Sequence, residues 1–400
     1  MINIFDRPAT ARPGMKGVAA GLTLAVLVEI VASCGGGVGT GGTGSFGSAP
    51  VSGFGSIFVG GVEFDDSRAA VFDDEGAALP TGGTPIRLGM IAEVEGSAVT
   101  IGPAGPMAVA STVHIARLAV GPAANVDIPG HALTVLGQTL QVNGSTVFDP
   151  TLHGGLAGLH AGDTVSVHAL ADAAGRPVAT RIEPAAPGEA WRLRGFVSAL
   201  NTQAKRFAIG TATLDYGTAS NVPADLADQQ FVQVRLAGVG AGGVLQVNSF
   251  LPASAAPSDS ASVVTEGVVA ALTPGAAFRI GALAIDITDA VVLPGPAALV
   301  SGAQAQVEGR LQARTLVADK VTVLTTQAVD QRSYQLAGTV SALNAVNQTF
   351  VVRNVSVDYS TAHFANGSAA TLANPNVSVH LQGSLSADGT MVQAKQISFP

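Results

Sequence analysis

Acidic side chains cluster in one short segment, DDSRAAVFDDEG, which spans residues 65–76. Calcium takes about six to eight oxygen ligands, and clustered carboxylates supply several of them. The same segment has a second interpretation, because Asp-Asp-Glu-Gly also suits a hairpin turn. The sequence therefore offers a candidate for a structural calcium site, whose ligands would be Asp65, Asp66, Asp73, Asp74 and Glu75.

Cys34 is the single cysteine of the chain and the second candidate for chemistry. Basic residues precede an apolar stretch over 17–33, which ends in the branched Val31 and the small Ala32 and Ser33 directly before Cys34. This layout is typical of a bacterial lipoprotein signal peptide, and Met15 offers an alternative start. We therefore expect lipidation of Cys34 and a stable membrane anchor. Because Gly35 rather than aspartate follows the cysteine, the outer membrane is the expected location, on its periplasmic or its surface side.

The remaining polar residues form no recognised catalytic or zinc motif. His153, His160 and His168 lie close together in the sequence, but their spacing matches no zinc-ligand pattern. The sequence also lacks the G-x-S-x-G and H-E-x-x-H motifs. We therefore predict a non-enzymatic protein with no cofactor apart from the calcium candidate. A catalytic triad dispersed along the chain is the alternative, because triads are recognised by geometry.

Composition excludes some classes of protein. The formal net charge is −8, and nucleic-acid binding is not expected because its affinity depends on neutralising phosphates with basic side chains. Hydrophobic residues make up 47% of the chain, which is enough to bury a core. The 49 glycines and 21 prolines suit many short strands joined by turns.

A phrase recurs about every 72 residues and opens as LRGFVSAL, TEGVVAAL and LAGTVSAL, with glycine at positions 195, 267 and 338. Further along each copy, an Asp or Asn is followed four positions later by a small apolar residue. We interpret this polar residue as an Asx turn that caps its own backbone. The five polar positions are Asp65, Asn143, Asp215, Asp286 and Asp358, and the five apolar ones are Ala69, Val147, Ala219, Ala290 and Ala362.

Each copy also contains runs of four to eight residues with alternating hydrophobicity, which predict strands with one buried face. Four or five strands in about 70 residues, with few helices, predict an all-β fold of tandem OB-like barrels, about five copies in all. A β-sandwich of paired repeats is the alternative. One polar position of the alternating runs is predicted to face solvent in every copy: Glu95, His168, Arg235, Glu308 and His380.

Three stretches of sequence resemble a bacterial family called domain of unknown function 5666. They are CGGGVGTGGTGSFGSAPVSGFGSIFVGGVEFDDS (34–67), LGMIAEVEG (88–96) and the repeated G-x-V-S-A-L openings. The resemblance covers nearly the whole chain after Cys34 and is weakest in the second copy, about 118–190. It implies small β-barrel modules in an envelope lipoprotein, and it implies no catalytic or binding residues.

We expect a signal peptide at 1–33 and a lipidated tether at 34–50. Five barrels follow, at 51–117, 118–190, 191–262, 263–327 and 328–400. The expected function is a cell-envelope lipoprotein that binds a partner or acts as a scaffold, with an envelope protein or glycan as partner. A calcium-stabilised adhesin, a glycan-binding surface protein and an uncharacterised envelope enzyme are the alternatives. Glycan binding would need exposed aromatic residues, for which Trp191 with Phe196 or Phe207 is the local candidate.

Overall fold

The copies of the repeat fold into small closed β-barrels, and the all-β, OB-like prediction is confirmed. This computed structural model describes residues 44–80, 85–102, 105–170, 177–252 and 259–400. The predicted signal peptide, Cys34 and the first part of the tether lie outside the described residues. No helix in the described part of the chain combines the length and hydropathy needed to cross a bilayer.

Barrels 1, 2 and 3 occupy residues 45–116, 119–184 and 192–251. Barrel 1 contains β1 Ser45–Phe54, β2 Ile57–Val59, β3 Val62–Asp65, β4 Ala70–Phe72, β5 Ile91–Gly96, β6 Thr100–Gly102 and β7 Gly105–Ala116. Barrel 2 contains β8 Ala119–Asp127, β9 Ala132–Val135, β10 Gln138–Gln141, β11 Val147–Phe148, β12 Thr164–Leu170 and β13 Val178–Pro184. Barrel 3 contains β14 Arg192–Phe196, β15 Ser198–Asn201, β16 Arg206–Ile209, β17 Ala212–Asp215, β18 Phe231–Val239 and β19 Leu245–Leu251.

Barrels 4 and 5 occupy residues 260–323 and 334–398. Barrel 4 contains β20 Ser260–Val268, β21 Ala270–Thr273, β22 Ala277–Ile280, β23 Leu283–Asp286, β24 Val291–Leu293, β25 Gln304–Gln312 and β26 Thr315–Val323. Barrel 5 contains β27 Tyr334–Thr339, β28 Ser341–Asn344, β29 Thr349–Val352, β30 Val355–Asp358, β31 His363–Ala365, β32 Ser378–Leu385 and β33 Val392–Ser398. The described helices are α1 Thr326–Asp330 and 3₁₀ turns at Gly155–Gly158, Ala241–Gly243, Pro296–Ala298 and Ala369–Ala373.

Barrel 3 shows the strand order that all five share. Its first strand, β14 with β15, bends so that one half pairs with β18 and the other half with β16. Strand β16 pairs with β17, β17 runs parallel to β19, and β19 pairs back onto β18. Closure through the bent first strand leaves no open sheet that could pair as a sandwich, and it gives the Greek-key barrel of the OB type.

The core of each barrel is built on one tight hairpin, which is β2–β3, β9–β10, β16–β17, β22–β23 and β29–β30 in barrels 1 to 5. Alternation places one residue of each strand inward, and the two face each other across the ladder. These cross-strand pairs are fully or almost fully buried in every copy: Ile57–Phe64, Leu133–Leu140, Phe207–Leu214, Phe278–Ile285 and Phe350–Val357.

Barrel 1 begins inside the segment that the sequence predicted to be tether. Strand β1 starts at Ser45, and its residues Ser45 to Pro50 pair antiparallel with β5. The glycine-rich composition suggested a flexible linker, but Gly47 instead permits close packing, since a Cβ there would lie 3.1 Å from the Phe64 ring. The prediction of a tether reaching residue 50 is therefore wrong for residues 45–50.

The glycine of the repeated phrase lies where the first strand of the barrel crosses the end of the strand that opens the tight hairpin. A Cβ added at Gly195 would lie 2.4 Å from Ile209 Cγ2, and one at Gly267 would lie 2.3 Å from Ile280 Cγ2. Gly121 of barrel 2 meets Leu136 in the same way, at 2.7 Å. Close approach of two strands inside a small barrel therefore explains why this position is glycine.

We expect Gly267→Val to destabilise the protein by about 1–3 kcal/mol, because the added side chain overpacks the contact with Ile280. Chemical denaturation of the full chain measures the effect. Gly295→Ala is the matched control, because a Cβ at Gly295 meets no atom within 4 Å. Equal stability of Gly267→Val and the wild type would contradict the packing explanation.

The barrels associate through their first strands. Strand β1 runs parallel to β20 over Ser45–Ser48 and parallel to β27 at Gly53 and Phe54, so barrel 1 pairs with both barrel 4 and barrel 5. Strand β8 pairs antiparallel with β14, which joins barrel 2 to barrel 3. The spatial order of the barrels therefore differs from their order along the chain.

Candidate functional site

Four barrels meet around a cavity of about 550 Å³. Barrel 1 lines it with β1 and β5, barrel 2 with the end of β12, barrel 3 with β14 and β18, and barrel 4 with β20, the β22–β23 hairpin and the turn after β25. The volume falls within the range of about 300–1,000 Å³ that is usual for small-molecule sites. The cavity is therefore a candidate binding site that no single barrel could form.

Most of the side chains around the cavity are apolar. Ile91 and Leu170 belong to a small buried cluster with Ala116 and Val268, which joins barrels 1, 2 and 4 and lies outside the main barrel cores. Because strand side chains alternate between faces, such residues would point to solvent in an isolated barrel. The contacts between barrels bury them instead.

Charged groups lie at the edges of this apolar lining. The Arg194 guanidinium lies 3.7 Å from a Glu93 oxygen and 5.1 Å from the centre of the Phe231 ring, within range of a cation–π contact. Arg314, in the exposed turn between β25 and β26, forms no ion pair within the described ranges. Arg117 also lines the cavity and is paired with acids, so the lining contains two paired arginines and one unpaired arginine.

Glu266 lines the cavity and is almost completely buried. Both of its carboxylate oxygens accept hydrogen bonds from Arg332, one of them at 3.0 Å, and Gln304 donates a third at 2.6 Å. Burial alone would lower the pKa of Arg332, but the charge and hydrogen bonds of Glu266 raise it above its usual value. This pair fixes the linker that follows α1 against barrel 4.

An ion network beside the cavity joins barrel 1 to barrel 3 and includes the linkers on either side of barrel 2, which carry Arg117 and Glu189. Asp74, whose side chain is 1% exposed, lies 2.5 Å from Arg117 and 3.2 Å from Arg192. Glu189 contacts the same two arginines, with 2.5 Å to Arg117. Glu75 lies 3.0 Å from Arg192 and also pairs with Arg235 of β18. Three acids and three arginines thus bind the barrels together.

The network shifts the pKa of two of its members, Arg117 and Glu189, in the direction of their charged forms. Burial alone would lower the pKa of the Arg117 guanidinium, but the hydrogen bond and charge of Asp74, followed by Glu189, raise it. Burial would raise the pKa of Glu189, but Arg117 and then a hydrogen bond from the Ala186 N–H lower it. Removing one partner would therefore leave another charge buried without compensation.

The five calcium candidates do not converge on one point. Asp65 caps its own turn, and Asp73 accepts backbone hydrogen bonds from Glu75 and Ala77, which confirms the predicted hairpin turn. Asp74 and Glu75 are held by arginines. Burial raises the pKa of Asp66. Across the described ranges, no group of three or more His, Cys, Asp or Glu side chains is placed to hold a metal ion.

The Asx turns predicted at the repeated polar position are confirmed in all five barrels. In each, the side-chain oxygen accepts a hydrogen bond from the backbone N–H two residues later, at 2.8–3.0 Å. The apolar residues four positions later lie in or against the hydrophobic cores. Self-capping lowers the pKa of the exposed Asp286, mainly through the hydrogen bond from Thr288 N–H.

The prediction that His168 faces solvent is wrong. His168 is fully buried, and its Nδ1 lies 2.9 Å from the Ala116 carbonyl oxygen. Its Nε2 has no hydrogen-bond partner within the described part of the chain. Burial, and then the charge of Arg117, lower the pKa of His168 to about 3. The alternation of side chains along β12 does place the His168 ring on the outer face of barrel 2, as predicted. Barrel 1 covers this outer face, so the ring is buried there.

A β-bulge also corrects the predicted equivalence of this position with His380. The strands β5, β12, β18, β25 and β32 occupy the same place in their barrels, and each shifts register directly after one residue. These five residues are therefore structurally equivalent: Glu95, His168, Arg235, Glu308 and Gln382. His380 lies two residues earlier on the same strand and is exposed. Both histidines follow the same residues, Val-Ser-Val, so the sequence alone gives no sign of this two-residue offset.

The aromatic residues considered for glycan binding do not form an exposed group. Phe207 is buried in the barrel 3 core, and Phe196 packs edge-on against Phe231 with ring centres 5.0 Å apart. Trp191 is half-buried against the same core. The prediction of a Trp191-centred glycan surface therefore has no geometric support in this region.

Sequence reasoning did not identify the residues that meet at the junction. Arg117, Glu189 and Arg192 belong to none of the repeated motifs, so the comparison of repeats did not single them out. The signal that could have found them is the alternation in Arg192-Leu193-Arg194, which places two arginines on the outer face of a first strand. The fully buried Leu193 lies between them and faces the core.

Comparisons with known proteins agree with a repeated small domain. Residues 123–183 and 337–398 match a family described as Domain of unknown function (DUF5666). These segments lie in barrels 2 and 5, so the copy predicted to resemble the family least is one of the two that match. The chain is also similar to a solved structure titled drosophila Unr CSD456, at 12% identity and a TM-score of 0.16, covering 52% of this chain and 98% of that one. Among curated proteins, none matches this sequence.

Proposed function

We propose that this protein is a lipid-anchored, non-catalytic binding protein of the bacterial outer membrane, whose five barrels act together as one scaffold. The observation that carries the binding role is the cavity formed jointly by four barrels. Binding sites are commonly concave and mostly apolar with a few polar groups, as this one is. The support for the anchor is the sequence that precedes Cys34.

The position of the buried charges supports binding rather than catalysis. Asp74 and Glu189 are both held between Arg117 of the linker before barrel 2 and Arg192 of barrel 3. Glu266 is held by Arg332. A general acid or base must be free to exchange a proton with a substrate. These carboxylates instead join structural elements, and their pairing explains why the barrels form one body.

The anchor is tested by labelling cells with an alkyne analogue of palmitate and separating envelope fractions. We expect labelled full-length protein in the outer membrane, and loss of both label and membrane association in Cys34→Ala. Label that persists in Cys34→Ala, or wild-type protein without label, would contradict the anchor.

The binding role is tested by purifying the protein from envelopes and measuring its mass under native conditions. We expect the native mass to exceed the denatured mass by that of one small molecule. The released molecule should be recovered chemically unchanged after it is incubated with fresh protein. Ala282→Trp, which places a large side chain on an exposed residue at the cavity edge, should reduce the bound fraction. Conversion of the molecule to a product would contradict a non-catalytic role.

A further inference from the structure

We infer that the cavity at the four-barrel junction binds the hydrocarbon chain of a single-chain anionic amphiphile, of the fatty-acid class, with the carboxylate beside Arg314. This inference deepens the proposed binding function and rests on it. It names the chemistry of the ligand, which the proposed function leaves open.

The apolar lining argues for a hydrocarbon chain. Ile91, Leu170, Phe231, Ile280 and Leu311 come from four different barrels and surround the same space. A sugar or peptide would find no hydrogen-bonding side chain in this apolar part of the lining, and burying a polar group without a hydrogen bond is costly. A methylene chain has no such groups, and its transfer from water is favourable.

The charges around the cavity argue for one anionic group. Glu93 faces Arg194, Glu266 is held by Arg332, and Arg117 is held between Asp74 and Glu189. Arg314 lines the same cavity, lies in an exposed turn, and has no acidic partner within the described ranges. Asp259 is the nearby acid of this turn, and its carboxylate accepts a 3.0 Å hydrogen bond from Ala313 N–H rather than forming an ion pair with Arg314. The lining therefore presents one arginine without an ion pair at a solvent-exposed edge, where a carboxylate keeps part of its hydration.

The same cavity suits the acyl chains of the protein's own anchor less well. The diacylglycerol expected on Cys34 is neutral, so it offers no partner for Arg314. A free amphiphile with a carboxylate satisfies both the apolar lining and the arginine. Binding that persists in full-length Cys34→Ala would separate the two sources.

The experiment is calorimetric titration of the full-length protein held in phosphatidylcholine nanodiscs, with empty nanodiscs titrated in parallel so that partition of the probe into lipid is subtracted. The probes are straight-chain carboxylates from octanoate to tetradecanoate, with 1-dodecanol as the neutral partner of dodecanoate. We expect one molecule bound per protein, and a Kd that falls by up to fourfold for each added methylene until the chain fills the cavity. Cys34→Ala should bind the carboxylates equally well.

Two variants locate the ligand. Ala282→Trp should abolish dodecanoate binding, because the new side chain occupies the cavity edge. Arg314→Gln should weaken dodecanoate by up to about fivefold and leave 1-dodecanol unchanged, as an exposed ion pair contributes little. Arg310→Gln is the matched control, because Arg310 is half-exposed on the same barrel and does not line the cavity.

An affinity independent of chain length, or equal binding to wild type and Ala282→Trp, would overturn the inference. Equal weakening by Arg314→Gln and Arg310→Gln would overturn the role of Arg314. If the carboxylates fail but another molecule is recovered from envelope-purified protein, the ligand class is wrong and the proposed binding function stands. If neither binds, both fail.

Discussion

Asp74→Asn is expected to lower the free energy of unfolding by about 3–5 kcal/mol, one of the two largest effects that the structure predicts. The Asp74 carboxylate is 1% exposed and contacts both Arg117 and Arg192. The amide keeps the shape of the side chain but removes its charge, so two buried guanidinium groups lose a shared partner. Chemical denaturation followed through Trp191, the single tryptophan, reports on this junction directly.

Asp65→Asn makes the same chemical change at an exposed site and is the matched control. Asn143 already forms the equivalent Asx turn in barrel 2, so asparagine keeps the hydrogen bond to the following backbone. We expect a change within about 0.5 kcal/mol. Similar effects of the two substitutions would show that the ion network does not stabilise the junction.

Acidification is expected to destabilise the protein through His168, the second large effect. The pKa of His168 is about 3 in the folded protein and 6.5 when unperturbed. Because the unfolded chain binds the proton first, the contribution of His168 is complete above pH 6.5 and is lost as the pH falls towards 3. The slope approaches about 1.4 kcal/mol per pH unit in that window.

His168→Asn should remove this slope, because an amide donates to the Ala116 carbonyl oxygen without titrating. The groups whose charges act on His168 are Arg117, Arg181 and Asp74. Unfolding free energies measured at intervals from pH 6.5 to 5 separate His168 from carboxylates that titrate lower. His380→Asn, at an exposed position, should behave as the wild type. A wild-type slope retained in His168→Asn would contradict the assignment.

The sequence predicted the features that depend on local structure. An Asx turn needs only a polar side chain and the backbone two residues later, so five aligned Asp and Asn residues were sufficient to identify it. Alternating runs identified the strands for the same reason. The repeat then indicated that one small barrel had been copied along the chain.

The features that depend on contacts between copies were not predicted. His168 and Ile91 both lie outside their own barrel cores, where alternation indicates solvent, yet neighbouring barrels bury them. Arg117 and Glu189 have no equivalents in other copies, because each junction between barrels occurs once. A periodic pattern describes the barrel interior and contains no information about which outer faces meet.

The pairing of β1 with β20 and β27 sets a time order for assembly. The first of these partners begins about 200 residues after β1 ends, which is ~10–40 s of synthesis at ~5–20 residues per second. During that interval the outer edge of β1 has no partner, and an unpaired edge is a site for misassembly between chains. Its sequence SFGSAPVSGF contains Pro50, which has no N–H to donate, and this disfavours edge-to-edge association while the partners are still being made.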